Sequence, residues 1–517
     1  MSLAIVHTRA KTGIAAPAVT VEVHLSNGLP SLSMVGLPET AVKESKDRVR
    51  SALINSHFDF PPRRITVNLA PADLPKEGGR FDLAIALGIL AASGQLPMDH
   101  LDDYEFLGEL ALSGELRPVN GSLPAALACV KPQRQLIVPR GNAEEAALSK
   151  NTVVYGAEHL LDVCAHLRAE LLAKNNDINV DTQPLLTRQG FTPPKPRKNS
   201  AQLSDVIGQQ QAKRALEIAA AGGHNLLFSG PPGTGKTMLA SRMPGILPPL
   251  DEHEALEVAA VYSVAGASGS GGWARDDFHQ RPFRSPHHTA SAAALVGGGS
   301  TPTPGEISLA HHGVLFLDEL PEYPRKVLEV LREPLESGSI TISRVQARID
   351  FPARFLLVAA MNPCPCGYLG SARCRCTPDQ ISRYQSKISG PLLDRFDLQV
   401  SVPSIPRAEL TAAHPAGENN TQIQHRVCTA QDRQKQRQGC MNSALDGKQL
   451  ARLCPLNPEQ QTLMDTAIDR LGLSARAYHR LLKVTRTIAD LDQSSTIETR
   501  HLTEAIAYRV SSSTQIK

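Results

Sequence analysis

The octapeptide GPPGTGKT, residues 230–237, constrains this chain more than any other stretch of it. It fits the pattern G-x-x-x-x-G-K-[ST], follows an apolar run, NLLFSG, and leads into a helix-forming one, TMLASRM. Glycines at this spacing let backbone N–H groups turn onto phosphate oxygens, and a helix start adds the positive end of its dipole. Gly230, Pro231, Pro232, Gly233, Thr234 and Gly235 then form a phosphate loop, with Met238 just inside the helix. Lys236 would neutralise the β- and γ-phosphates of a nucleotide, and Thr237 would hold Mg²⁺.

Two later strands end in residues that suit the same chemistry. GVLFLDEL (313–320) is a short apolar strand closing on two carboxylates. Asp318 is placed to join the Mg²⁺ shell and Glu319 to polarise an attacking water. RFLLVAAMN ends at Asn362, whose short side chain can reach the γ-phosphate and the water; the plainer reading is a turn-capping asparagine.

At 517 residues the chain exceeds one hydrophobic core, so two to four domains are expected. Residues 1–175 mix β-like runs such as AVTVEVHLS with helical ones, a polar proline-rich linker follows at 176–200, and strands and helices alternate over 201–402. A polar helical connector occupies 403–454, its Gln/Arg-rich segment IQHRVCTAQDRQKQRQG (423–439) expected as an exposed helix, and 455–517 has the periodicity of a small helical bundle. The formal net charge is +3, so any nucleic-acid site is a local patch. The N-terminus has no secretory pattern, and the longest apolar stretch, FDLAIALGILAASG, is too short for a bilayer. A cytoplasmic protein without a membrane partner is expected, its nine cysteines reduced unless bound to metal or catalytic.

The order of loop, carboxylates and Asn362, together with LLDRFD (392–397) and LSARAYHRLLK (473–483), resembles an AAA+ ATPase. The gap from Lys236 to Asp318 holds RPFRSPHHTASAAALVGGGSTPTPGEISLAHHG, which resembles the magnesium-chelatase-like branch with an insertion in its second helix. With the N-terminal half included, the whole chain resembles the ComM/YifB family. That resemblance implies a hexameric, ATP-driven DNA helicase promoting branch migration in natural transformation. It acts on single-stranded or branched DNA without sequence preference, alongside recombination proteins. It also makes Arg395 a finger reaching a neighbour's γ-phosphate, although an ion pair with Asp394 or Asp397 is the plainer role. Arg476 becomes the second sensor on the helical lid, with Arg480 one turn away as the rival. Val206 and Ile207 become the apolar cover of the adenine. A motor that remodels a partner protein, as the chelatase subunit does, is the competing class.

LPKEGGRFDLAIALGIL and LGELALSGELRPVNGSLPAALA resemble the proteolytic domain of Lon-type proteases. The alignment puts Arg80 where the nucleophilic Ser belongs and Leu123 where the Lys belongs, and neither can do that chemistry. The expected fold is thus α/β and multidomain. It comprises a degenerate Lon-protease-like (ChlI-type) α+β domain, a P-loop ATPase core with a parallel sheet, and a helical lid.

Cys364, Cys366, Cys374 and Cys376 follow Asn362 as two Cys-x-Cys pairs. Four thiolates suit a closed tetrahedral Zn²⁺ that would brace the loop after Asn362; free thiols and disulfides are the alternatives. The other cysteines read as small core residues. ESGSITISRVQARIDFPARF (336–355) alternates as a hairpin turning near Arg344, a DNA contact or a solvated turn residue. LVGGGS (295–300) is a glycine loop open to the same use. His287 and His288 are either metal ligands or structural parts of the insertion.

Overall fold

A computed structural model describes residues 3–36, 40–76, 78–174, 186–192, 201–266, 275–299, 302–343, 348–406 and 417–513. The linker expected at 176–200 and the hairpin turn with Arg344 lie largely or wholly outside these.

The N-terminal part is a mixed seven-stranded sheet. Its order is Ser31–Val35, Arg64–Ala70, Ala18–Ser26, Leu3–Arg9, Tyr104–Phe106, Gln135–Pro139 and Val154–Ala157. Period-two alternation drives it: Val19, Val21, Val23 and Leu25 all face one buried layer. That layer packs on the Asp82–Ala92 helix, every residue of which is buried. The longest apolar stretch of the sequence is therefore a core helix enclosed on all sides.

The central part is a five-stranded, all-parallel sheet. Its order is Phe283–Arg284, Val314–Leu317, Leu356–Met361, Leu226–Ser229 and Leu398–Ser401. Val314–Leu317 is buried throughout, as are five of the six residues of Leu356–Met361, which is why these strands read as apolar runs. The phosphate loop, Asn362 and the two carboxylates leave the carboxyl ends of three adjacent strands. In an open parallel sheet that edge is where ligands bind.

The Gln/Arg-rich connector forms the helix Asn420–Gln438, but it is not exposed all round. Asn420, Ile423, Val427, Ala430, Gln431 and Gln434 are buried. Gln431 Nε2 donates to Ala220 O at 2.9 Å and Gln434 Nε2 to Ala221 O at 3.0 Å. These carbonyls belong to the end of the Gln210–Gly222 helix, where intrahelical partners run out. Polarity misled the reading because these glutamines cap a neighbouring helix. The helices Gly447–Leu453, Pro458–Leu471, Ala475–Leu491 and Thr499–Ser513 complete the C-terminal part. Asp490 ties the connector to the lid, accepting from Arg437 at 2.6 Å and from Arg486 at 2.8 Å.

The N-terminal sheet docks on the central part through the buried cluster Leu123, Leu148, Leu250, Ala255, Val258, Ala259 and Phe278. Gly121 N donates to Ser263 O at 2.9 Å. Ile14, between the first two strands, packs against the cluster that holds the root of the 339–352 hairpin. Among the described residues no helix is long and apolar enough to cross a membrane.

Candidate nucleotide site

The phosphate loop turns because Gly233 (φ 76°) and Gly235 (φ 86°) occupy left-handed backbone that other residues resist. Gly235 then caps the Lys236–Ala240 helix. Lys236 is buried, and its Nζ donates to Gly230 O at 2.7 Å, Pro231 O at 2.8 Å and Asn362 Oδ1 at 3.2 Å. Burial pushes its pKa down, while Asp318 and Glu319 act to raise it. The ammonium is thus folded back on its own loop, where phosphate oxygens would replace the two carbonyls. Asn362 stands beside it at the end of the neighbouring strand.

Thr237 Oγ1 donates to Asp318 Oδ2 at 2.6 Å. These are the two groups that would share the Mg²⁺ shell, so the donor set fits that ion. Glu319 adopts a left-handed conformation (φ 51°), and its backbone N–H donates to Asp318 Oδ1 at 2.9 Å. Its carboxylate lies 3.3 Å from His288 Nδ1. The sequence left His288 between metal ligand and structural residue; contact with Glu319 was not foreseen. The signal available was the histidine pair itself, just past the Phe283–Arg284 strand, which pairs directly with the Val314–Leu317 strand that leads to Glu319. Val206 is packed in the core, and Ile207 is the half-exposed apolar residue of the pair. Met238 is 45% exposed beside the loop.

Arg395 is buried and pairs with neither Asp394 nor Asp397. Its Nη1 donates to Pro391 O at 2.7 Å and its Nη2 to Glu336. Asp397 instead accepts from Arg480 Nη1 at 2.9 Å and from Asn225 N at 3.1 Å. Arg480 is therefore committed to holding the lid on the core. Arg476, one turn earlier on the Ala475–Leu491 helix, is exposed, and among the described residues no carboxylate lies within ion-pair range of it.

The sulfurs of Cys364, Cys366, Cys374 and Cys376 all lie within 4.8 Å of one another. Backbone N–H groups of Arg375 and Tyr368 pull the Cys366 thiol down, while the neighbouring sulfurs push those of Cys374 and Cys376 up. None of the four is in a disulfide. Four converging sulfurs fit Zn²⁺, which would supply tetrahedral cross-linking and no chemistry of its own. The knuckle also leans on the phosphate loop. A Cβ on Gly367 (φ 81°) would stand 2.5 Å from Pro232 Cδ, a closeness only glycine permits. A second cluster, Glu257, His311 and His312, is a poorer metal site. His311 Nδ1 accepts from Arg354 N at 3.1 Å, which leaves the proton on Nε2, pointing at Glu257 3.3 Å away. A metal at Nε2 needs the opposite tautomer. Of the remaining cysteines, Cys129, Cys164 and Cys454 are buried, and Cys428 and Cys440 are half-buried.

In the N-terminal part, Arg80 and Leu123 are both buried. Lys76 Nζ donates to Gly36 O at 2.9 Å and to Pro71 O, and Ser122 Oγ donates to Glu145 Oε2 at 2.8 Å. The nearby lysine and serine are thus each committed elsewhere. Gly297 of the glycine loop pairs with Pro304 and Gly298 with Thr303. The expected hairpin strands pair antiparallel, Ser339 opposite Pro352 and Ser343 opposite Arg348.

Three family descriptions match the chain in order. "Subunit ChlI of Mg-chelatase" covers residues 21–142, "Magnesium chelatase, subunit ChlI" covers 202–410, and "Magnesium chelatase, subunit ChlI C-terminal" covers 417–509. The chain is 54% identical to Competence protein ComM of Haemophilus influenzae, over 98% of both chains. It is 53% identical to the uncharacterized protein YifB of Escherichia coli, over 98% of this chain and 97% of that one. The magnesium-chelatase 38 kDa subunit of Cereibacter sphaeroides is 27% identical over 39% of this chain and 58% of its own length.

Proposed function

As the chain belongs to the ComM/YifB family of magnesium-chelatase-like AAA+ ATPases, we propose that it is a hexameric, ATP-driven DNA translocase that promotes branch migration as incoming DNA is recombined. The observation that carries this reading is the end-to-end likeness to a competence protein, 54% identical over 98% of each chain. The likeness to a chelatase subunit is weaker and covers only part of either protein.

In this reading, Lys236 and the loop residues 230–238 hold the triphosphate, Thr237 and Asp318 hold Mg²⁺, and Glu319 polarises the water. Asn362 and Arg476 sense the γ-phosphate, and Arg395 completes the site of the next subunit. Val206 and Ile207 lie at the adenine end. Zn²⁺ on the four cysteines braces the segment between Asn362 and the loop. The division at 175, 200, 402 and 454 separates a scaffold, a linker, a motor core, a connector and a lid. The protein works in the cytoplasm with other recombination proteins. The 339–352 hairpin of each subunit faces the DNA, and six copies grip phosphates without reading bases.

The test is ATP turnover with DNA as the only addition. A rise on single-stranded or forked DNA is expected. Turnover indifferent to DNA but raised by a partner protein would favour the protein-remodelling class.

A further inference from the structure

Arg395 is held in a way that a residue acting on a neighbouring subunit does not need. Its side chain is 5% exposed, while that of its partner Glu336 is 62% exposed. Its Nε is buried without a hydrogen-bond partner. Arg332, Arg476 and Arg480 are near enough to repel the guanidinium, and Glu336 is the carboxylate that attracts it. Asp397 is already occupied by Arg480 at 2.9 Å. Withdrawing Glu336 would leave a cation pressed by like charges, with one carbonyl to hold it.

Glu336 is also placed to be withdrawn. It lies on the Pro334–Ser337 turn, and the hairpin strand Ser339–Ser343 begins after Gly338. Ala353 N donates to Gly338 O at 2.8 Å, so the turn closes the hairpin's root. Ile340, Ile342, Ile349 and Phe351 of the hairpin share a core cluster with Leu392 and Phe396, which flank Arg395. A force on the hairpin thus reaches Arg395 by two routes, the Glu336 contact and the shared apolar packing.

We propose that Glu336 is a positioning residue coupling the hairpin to Arg395. At rest it keeps the guanidinium inside its own subunit. A DNA strand engaging the hairpin draws Glu336 away and lets Arg395 swing to the neighbour's γ-phosphate. This rests on the readings of Arg395 as a residue acting in trans and of DNA as the substrate.

The experiment compares full-length wild type, Glu336→Gln, Glu336→Asp and the double variant Glu336→Gln/Arg395→Ala. ATP turnover is measured with and without a single-stranded oligonucleotide. Glu336→Gln should raise DNA-free turnover about two- to fivefold, the range expected on losing a partly exposed ion pair. The ratio of DNA-stimulated to basal rate should fall accordingly, and KM for ATP should stay unchanged. Glu336→Asp should behave as wild type, and the double variant should lose the gain. A merely structural contact would lower both rates together or change neither, and either result overturns the proposal. If DNA stimulates no variant yet Glu336→Gln is still faster, the restraint stands and the DNA reading fails.

Discussion

Thr237 and Asp318 stand 81 positions apart in the chain, yet the threonine hydroxyl donates to Asp318 Oδ2 across 2.6 Å. That contact joins the end of one strand to the start of a helix, at the place where the proposed Mg²⁺ would sit.

Lys236→Ala and Glu319→Gln should both abolish ATP turnover. The first removes the charge that holds the phosphates, so nucleotide binding falls with it. The second keeps binding and loses the group that polarises water. Transition-state groups of this kind are worth factors of about 10² or more. Equilibrium binding of a fluorescent ATP analogue beside turnover separates the two. A Glu319→Gln protein at the parental rate would remove Glu319 from the reaction.

One Zn²⁺ per chain is expected on Cys364, Cys366, Cys374 and Cys376. Replacing Cys364 and Cys376 together by Ser should abolish it, as metal analysis of protein purified without added zinc will tell. Gly367→Val should keep the metal yet raise KM for ATP, because its side chain would displace Pro232, whose Cδ would lie 2.5 Å from the first added carbon. Unchanged KM would mean that the knuckle does not brace the phosphate loop.

The nucleotide site was legible in the sequence because each part is a local pattern at a strand end, and an all-parallel sheet sets those ends side by side. Gly233, Lys236, Asp318 and Asn362 needed no knowledge of distant contacts. What was not legible depended on packing between segments far apart in the chain. Nothing near LLDRFD points to Glu336 as the partner of Arg395. Nothing in IQHRVCTAQDRQKQRQG says that Gln431 and Gln434 would be buried as caps on another helix. The four cysteines announced a cluster, but only the fold places Gly367 on Pro232. The ion pair of Arg480 with Asp397 joins residues 83 positions apart, and no local pattern announces it.

Asp397→Asn should loosen the lid. Burial opposes ionisation of Asp397, but His224, Arg480 and Arg509 outweigh it and hold the carboxyl at about 2. A carboxylate depressed in the folded state stabilises above its unfolded value, about 3.9, and loses that contribution as pH falls through the folded value. Near neutral pH the variant should be less stable by about 2–3 kcal/mol. The gap between wild type and variant should narrow only between about pH 4 and pH 2. Denaturant unfolding of both proteins across that range is the check, and a gap that does not depend on pH would contradict it.

Mixing Arg395→Ala subunits with Lys236→Ala subunits should restore part of the turnover that each lacks alone. In a mixed ring, a competent phosphate loop can meet a neighbour's intact arginine. No recovery in rings verified to be mixed would assign Arg395 to its own subunit.

The central claim is that ATP hydrolysis here drives movement on DNA, and strand exchange on a branched substrate measures it most directly. A three- or four-strand junction incubated with the purified protein should resolve with ATP and not with a non-hydrolysable analogue, and the Glu319→Gln variant should fail. Because the contacts would be to phosphates, junction binding should weaken with salt by about 0.7–0.9 log units per log unit for each phosphate neutralised. Arg344→Ala should reduce that slope and slow exchange while sparing basal hydrolysis. No ATP-dependent exchange on any forked or branched DNA, by a protein that still hydrolyses ATP, would contradict the account.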